Sequence, residues 1–188
     1  MVIGETFARI AIDPKCQTGL SRKHSQRPEA SQRGLPMKLV ILAVGKGRNS
    51  PEHDLATSYI RRLPEGGDIQ EIDSKLPAGT KRQQDESKLL LRLVPDNAIL
   101  VCLDPRGKDI SSEHLASRIG SWRDEGHQAI YFAIGGADGH NADVHQRADL
   151  LISFGSAIWP HMLFRAMLAE QLYRASAILS GHPYHRGN

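Results

Sequence analysis

Three glycine-bearing loops contain the residues of this sequence that are best suited to binding chemistry. They follow apolar runs and read "VCLDPRGKD" (101–109), "FAIGGADG" (132–139) and "LISFGSAIWPH" (151–161). Glycine lets the backbone approach a ligand and leaves N–H and C=O groups available as partners. One such loop is compatible with a tight turn that binds nothing. Three together favour a ligand site.

The ending "SGHPYHRGN" (180–188) is a second candidate for chemistry. Composition leaves three interpretations open. It is a frayed polar tail, a metal-binding pair formed by His182 and His185, or a nucleic-acid site. In the last case Tyr184 and His185 stack on a base and Arg186 contacts phosphate.

Common phosphate-binding motifs are weak or missing. "AVGKGRNS" (43–50) places Gly45 and Gly47 after the first apolar run, but the third glycine and the acidic ribose partner of a dinucleotide site are missing. The sequence also lacks the G-x-x-x-x-G-K-[ST] loop. These signals do not favour a dinucleotide or nucleoside triphosphate enzyme.

The loops need a sheet to position them, and the apolar pattern predicts one. Continuous apolar runs suit strands that are buried on both faces, and capped helical patterns lie between them. This alternation predicts an α/β fold, a mostly parallel sheet with helices on both faces. The strands are predicted at 37–45, 68–73 (half-exposed), 98–103, 129–136 and 149–155, and the helices at 50–63, 85–94, 111–126 and from Pro160 onward.

The final helix has an apolar stripe at helical spacing, for which core packing is the default interpretation. Further apolar residues on neighbouring faces favour contact with a second subunit as well. Glu170 and Arg174 are spaced to pair across the surface. The stripe is Leu163, Met167, Leu168, Leu172 and Ile178, and the neighbouring residues are Met162, Phe164 and Tyr173.

Length and composition predict one globular domain. The 188 residues are 40% hydrophobic and 24% charged, enough for one core. The formal net charge is +3, with six Lys/Arg and three Asp/Glu before Met37, so the remainder is neutral. A nucleic-acid partner must therefore be held by a local patch. Two separated cysteines and no apolar segment of membrane-spanning length predict a cytoplasmic protein with no membrane partner.

The segment before Met37 differs from the rest. "CQTGLSRKHSQRPEASQRGLP" (16–36) is polar and has no apolar periodicity, so residues 1–36 are predicted to be a disordered extension. Met37 is then the real initiator, or the extension is an organellar targeting arm. Glu5, Asp13 and Glu29 argue against the second explanation.

Several motifs of the remaining chain, 37–188, resemble a known family. "LAVGKG", "FAIGGADG", "PHMLFRAMLAEQLYRA" and "HPYHR" are similar to stretches of the RlmH family. Members of that family are SPOUT-class enzymes that methylate N3 of a pseudouridine in 23S ribosomal RNA. The resemblance runs from Met37 to Arg186 and leaves out the preceding extension. It implies an rRNA (pseudouridine-N3-)-methyltransferase.

The resemblance also implies a SPOUT domain with a C-terminal trefoil knot, whose loops bind S-adenosylmethionine and no metal. Backbone groups of these loops would hydrogen-bond the adenine, and the side chains of Leu103, Ile158 and Trp159 would pack around it. The implied cofactor-binding residues are Leu103, Gly135, Phe154, Gly155, Ser156, Ala157, Ile158 and Trp159.

A homodimer is the third implication, with the tail of one subunit reaching the active site of the other. The substrate would be 23S rRNA in the large subunit or the assembled ribosome, which suits a neutral domain. We hypothesise that His185 accepts the N3 proton. The implied catalytic residues are His185, Arg186, Tyr184, Arg165 and His161.

Two positions depart from the family pattern. Ile158 replaces an expected hydroxyl-bearing residue, and Met162 replaces a polar one. Both changes remove hydrogen bonds, so cofactor affinity is expected to shift while the reaction is retained. Two alternatives remain. One is a tRNA-modifying SPOUT methyltransferase, which the HPYHR ending does not favour. The other is a catalytically idle RNA-binding or ribosome-assembly module, which a cofactor titration would distinguish from the enzyme.

Overall fold

A computed structural model describes residues 37–47 and 49–186, with the side chain of Arg186 excepted. The extension predicted at 1–36 lies outside the described residues. Among the described residues, no helix has both the length and the apolar character needed to cross a membrane.

Strands and helices alternate along the described chain, as the apolar pattern predicted. The five strands match the five apolar runs, although most boundaries differ by one or two residues. In chain order the elements are β1 (Lys38–Val44), α1 (Pro51–Arg61), β2 (Gly67–Ile72), α2 (Thr80–Leu93), β3 (Ile99–Asp109), α3 (Ser112–Asp124), β4 (Ala129–Ile134), α4 (Ala142–Arg147), β5 (Leu150–Ser153), α5 (His161–Ser180) and a 3-10 turn (Pro183–Arg186).

The strands form one sheet in the order β2-β1-β4-β3-β5, and every neighbouring pair is parallel. The loops that follow β4 and β5 therefore leave the same edge of the sheet, where α/β proteins bind their ligands. The predicted loop after Leu103 lies at this edge too, as an irregular stretch within β3, because the pairing with β5 shifts register between Leu103 and Lys108. The predicted parallel sheet is confirmed. The trefoil knot stays a prediction.

Both faces of the sheet are covered by helices. Side chains of β1 alternate between two apolar clusters, with Ile41 in one and Leu42 in the other. The first cluster includes residues of α1, α3 and α5, and the second includes residues of α2 and α4. Within the predicted stripe of α5, Leu168 and Leu172 are fully buried, whereas Leu163 is 37% exposed.

Two helical boundaries differ from the sequence prediction for local reasons. α2 begins at Thr80, five residues before the predicted start. The sequence did not indicate this start because the N-cap residue, Gly79 (φ 121°), makes no side-chain hydrogen bond. α4 was not predicted because it has only six residues; Asn141 caps it by accepting from the N–H of Val144 at 3.1 Å.

Candidate active site

The three glycine-bearing loops converge on one cleft of about 440 Å³ at the carboxyl edge of the sheet. All eight residues predicted to bind the cofactor line it, although they come from three separate segments of the chain. A volume of this size suits a small-molecule ligand. The lining includes Leu103, Gly135, Phe154, Gly155, Ser156, Ala157, Ile158 and Trp159, and also Asp104, Gly136, His140 and His161.

The loop after Leu103 contains a fixed cluster of charges. The guanidinium of Arg106 donates to both carboxylate oxygens of Asp104 at 2.9 Å, and His145 Nε2 lies 2.8 Å from Asp104 Oδ2. The hydrogen bonds from Arg106 hold the pKa of Asp104 well below its usual range, against the effect of burial. Asp104 is therefore ionised, and its acceptor capacity is taken up by these two neighbours.

Close packing of backbones explains two glycines near this edge. A Cβ on Gly107 would lie 2.5 Å from the carbonyl carbon of Ile152, and one on Gly135 would lie 3.0 Å from the carbonyl carbon of Gly139. These strand ends and loops can approach each other only without side chains. The sequence signal of the loops thus has a packing cause, in addition to any ligand.

His140 closes the second loop beneath the cleft. It is 7% exposed, and its Nε2 lies 3.3 Å from the carbonyl oxygen of Ala133. Burial lowers the pKa of His140, and the nearby His145 and Arg106 lower it further. The ring is therefore neutral at pH 7 and donates its Nε2 proton to that carbonyl.

The third loop forms the outer wall of the cleft. Gly155, with φ 88°, donates its N–H to Asp109 Oδ1 at 3.2 Å, and its carbonyl accepts from Ser153 Oγ at 3.0 Å. Beyond it, the side chain of Ile158 is fully exposed and that of Trp159 is 40% exposed. The apolar wall is therefore open to solvent, or to another molecule, on its far side.

His161, at the start of α5, lines the cleft. Its Nε2 donates to the carbonyl oxygen of Val44 at 2.8 Å, which joins α5 to the end of β1. Burial lowers the pKa of His161, and the charge of Arg165 lowers it further. The neutral ring therefore keeps an unprotonated Nδ1.

Arg165, predicted as catalytic, lies behind the cleft wall. It is 1% exposed, donates to the carbonyls of Val44 and Gly45 at 2.7 Å, and pairs with Glu71 at 3.0 Å. It is not among the residues that line the cleft. The sequence did not indicate these contacts, because the partners lie 94 or more residues away. The catalytic role of Arg165 stays a prediction.

The C-terminal turn packs beside α5 of its own chain. Its described side chains, Tyr184 and His185 among them, do not line the cleft of that chain. Tyr184 donates its hydroxyl proton to Glu170 Oε1 at 3.0 Å and contacts the ring of Tyr173 at 4.8 Å. His185 Nε2 lies 3.4 Å from Glu113 Oε1. The tail therefore forms a 3-10 turn over Pro183–Arg186, and of the predicted catalytic residues whose side chains the structure describes, only His161 lines this cleft.

A second cavity, of about 680 Å³, lies between α1, α5 and the start of α3. Its lining is mainly apolar and includes Leu55, Tyr59, Leu163 and Met167. Phe154 lines both cavities. The glycine-rich loops and the histidines His140 and His161 line the smaller cleft, so we assign the chemistry there.

Sequence reasoning missed His140, His145 and Glu86, which packs against Gly136. His140 directly follows the glycine loop, so its position after a strand end was an available signal. Glu86 and His145 lie inside helices, where an acidic or basic residue is ordinarily solvated. Only the fold brings them to the carboxyl edge.

A family model described as "Predicted SPOUT methyltransferase" matches residues 37–185. Relatives named "Ribosomal RNA large subunit methyltransferase H" match 80% of the chain. The relative from Paramagnetospirillum magneticum is 52% identical over 151 residues, and that from Rhodospirillum centenum is 50% identical over 151 residues. The relative from Mesorhizobium japonicum is 47% identical over 160 residues. In each case 99% of the relative is covered.

Proposed function

Because this chain belongs to the SPOUT methyltransferase family, we propose that it methylates N3 of a pseudouridine in 23S rRNA of the large ribosomal subunit, with S-adenosylmethionine as donor. In this proposal residues 37–188 form the methyltransferase domain, which works in the cytoplasm with ribosomes. The single observation that carries the substrate is the name shared by relatives up to 52% identical. The motif-bearing cleft agrees with it.

The cleft fits the donor in size and in wall chemistry. Its volume of about 440 Å³ accommodates a nucleoside-sized ligand. When bound, S-adenosylmethionine supplies an electrophilic methyl group. The side chains of Leu103, Ile158 and Trp159 would pack around the adenine. Since the Gly155 N–H is bonded to Asp109, backbone groups of Ser156 and Ala157 would hold the adenine edge.

Removal of the N3 proton requires an acceptor close to the target base. We assign this role to His185 of a second subunit, with Tyr184 and Arg186 positioning the RNA. This assignment needs the tail of one subunit to reach the cleft of the other. It is supported by the contacts of the tail within its own chain, since His185 pairs with Glu113 and Tyr184 with Glu170, and neither glutamate lines the cleft.

A homodimer is supported by the apolar surface around α5. Leu55 and Leu163 are 47% and 37% exposed and line the second cavity. Phe154 connects that cavity to the cleft. A second copy seated here would bury the apolar residues and bring its tail toward Phe154.

Mass spectrometry of 23S rRNA from a strain that lacks this chain tests the proposal. One pseudouridine should lose a methyl group, and the intact chain should restore it. A variant with Ala157→Trp, which fills the cleft, should fail to restore it. If purified protein binds S-adenosylmethionine but methylates tRNA instead of ribosomes, the tRNA alternative holds. If it does not bind S-adenosylmethionine, the protein is a catalytically idle RNA-binding or ribosome-assembly module.

A further inference from the structure

Glu86 places an unpartnered carboxylate oxygen against the wall of the cleft. It lies in the second turn of α2, and its side chain is 9% exposed. No described residue forms a hydrogen bond with Oε2. A Cβ built on Gly136 would lie 2.9 Å from this oxygen, so Oε2 points at the bare Cα of a cleft-lining residue.

The charges around Glu86 leave a negative excess. Arg82 Nε is 3.6 Å from Glu86 Oε1, but Arg82 Nη2 is bonded to Asp138 at 2.9 Å. Two carboxylates thus share one guanidinium. Burial raises the pKa of Glu86; Arg82 opposes this, while Asp138, Asp73 and Asp85 add to it. A buried carboxylate oxygen that no described residue hydrogen-bonds, as Oε2 is, is costly to keep, which argues for a partner that arrives with the ligand.

We propose that Glu86 is the anionic subsite for the cationic part of the methyl donor, reached past Gly136. Negative potential here attracts a cation and repels RNA phosphate, so the occupant is the donor and not the nucleic acid. S-adenosylmethionine has two cations, the sulfonium and the α-ammonium. The inference rests on the proposed function because that function supplies the donor.

Titration calorimetry on the full chain tests this with two ligands, S-adenosylmethionine and S-adenosylhomocysteine, which keeps the ammonium but has a neutral sulfur. Glu86→Gln should weaken the binding of S-adenosylmethionine about tenfold, as expected for the loss of a charge-assisted hydrogen bond to the ammonium or of an electrostatic contact with the sulfonium. If the affinities for both ligands fall equally, Glu86 contacts the ammonium. If only the affinity for S-adenosylmethionine falls, Glu86 contacts the sulfonium. Unchanged affinity for both ligands overturns the proposal.

Matched controls separate this inference from the proposed function. Asp124→Asn removes one negative charge at the exposed end of α3, where the side chain is 72% exposed, and should leave both affinities unchanged. If the wild-type chain binds neither ligand, the proposed function fails. If the wild type binds and Glu86→Gln binds equally well, only the Glu86 subsite fails.

Thermal melting of the ligand-free protein excludes a purely structural role. Glu86→Gln should melt at the same temperature as wild type or higher, because it removes a poorly compensated buried charge. A lower melting temperature together with an equal fall in affinity for both ligands would show that Glu86 acts through its ion pair with Arg82. That result would overturn the proposed subsite. Glu86→Asp keeps the negative charge, but its side chain is one methylene shorter, so the carboxylate lies farther from Gly136. It should give intermediate affinity, and wild-type affinity in this variant counts against the proposal.

Discussion

Arg165 and Glu71 form an ion pair of 3.0 Å behind the cleft, with Arg165 only 1% exposed. The same guanidinium donates to the carbonyls of Val44 and Gly45. The pair therefore ties the first turns of α5 to the ends of β1 and β2. Because His161 lies one turn before Arg165, this tie also fixes the histidine that lines the cleft.

Arg165→Met should lower the free energy of unfolding by about 3–5 kcal/mol, because it removes the buried cation that pairs with Glu71 and donates to the carbonyls of Val44 and Gly45. Urea unfolding followed by circular dichroism measures this. The control Arg123→Gln removes a guanidinium that pairs with exposed Asp124 and should cost less than about 1 kcal/mol. A stable Arg165→Met protein that binds the donor but does not methylate would instead return Arg165 to a catalytic role.

The predicted fold followed from local patterns, whereas the roles of buried polar residues did not. Apolar runs closed by glycines are local signals, and they were sufficient for the parallel sheet and for the loops that line the cleft. Arg165 and Glu86 sit in helical sequences where a charged residue ordinarily faces solvent. Their partners Val44, Glu71 and Gly136 are separated from them by 50 or more positions, so only tertiary packing reveals these contacts.

The start of α2 shows a second limit of local signals. A side-chain cap is the usual sign of a helix start, and Gly79 provides none. Because of this the sequence predicts the helix only from residue 85, after the first turn of α2 that contains Arg82. Arg82 and Gln83 then turn out to contact Asp138 in the second glycine loop.

Stability should depend on pH through His140. Its pKa is lowered by burial, so the folded state binds this proton less readily than the unfolded chain. Stability is therefore full above the unfolded pKa of about 6.5 and is lost as the pH falls below it, by up to about 1.4 kcal/mol per pH unit. Urea midpoints between pH 7 and pH 5 should show this decline.

The variant His140→Gln should flatten that pH dependence, although His161, whose pKa is also lowered, leaves a remaining slope. His114, which is exposed on α3, provides the matched control, and His114→Gln should keep the wild-type profile. A wild-type protein whose stability rises on acidification to pH 5 would contradict the buried, neutral state of His140.

Gly107→Ala should destabilise the protein strongly, because its Cβ would lie 2.5–2.7 Å from three backbone atoms of Ile152. Backbone atoms cannot move aside as a flexible side chain can, so a cost of about 2–4 kcal/mol is expected. Thermal and urea unfolding measure it. Gly120→Ala, inside α3, meets only the end of the Leu179 side chain at 3.0 Å and should be neutral or slightly stabilising. Equal behaviour of the two variants would show that β3 and β5 tolerate separation at this point.

A tail that acts across the subunit interface predicts complementation between two inactive variants. Ala157→Trp blocks the cleft but keeps the tail, whereas Arg186→Ala alters the tail but keeps the cleft. Each should be inactive alone. In a co-refolded equimolar mixture about half of the dimers are mixed, and each mixed dimer has one intact cleft facing one intact tail. The mixture should therefore recover about a quarter of wild-type methylation of ribosomes. A tail that serves its own chain gives no recovery, because every chain then has a defect in its own site.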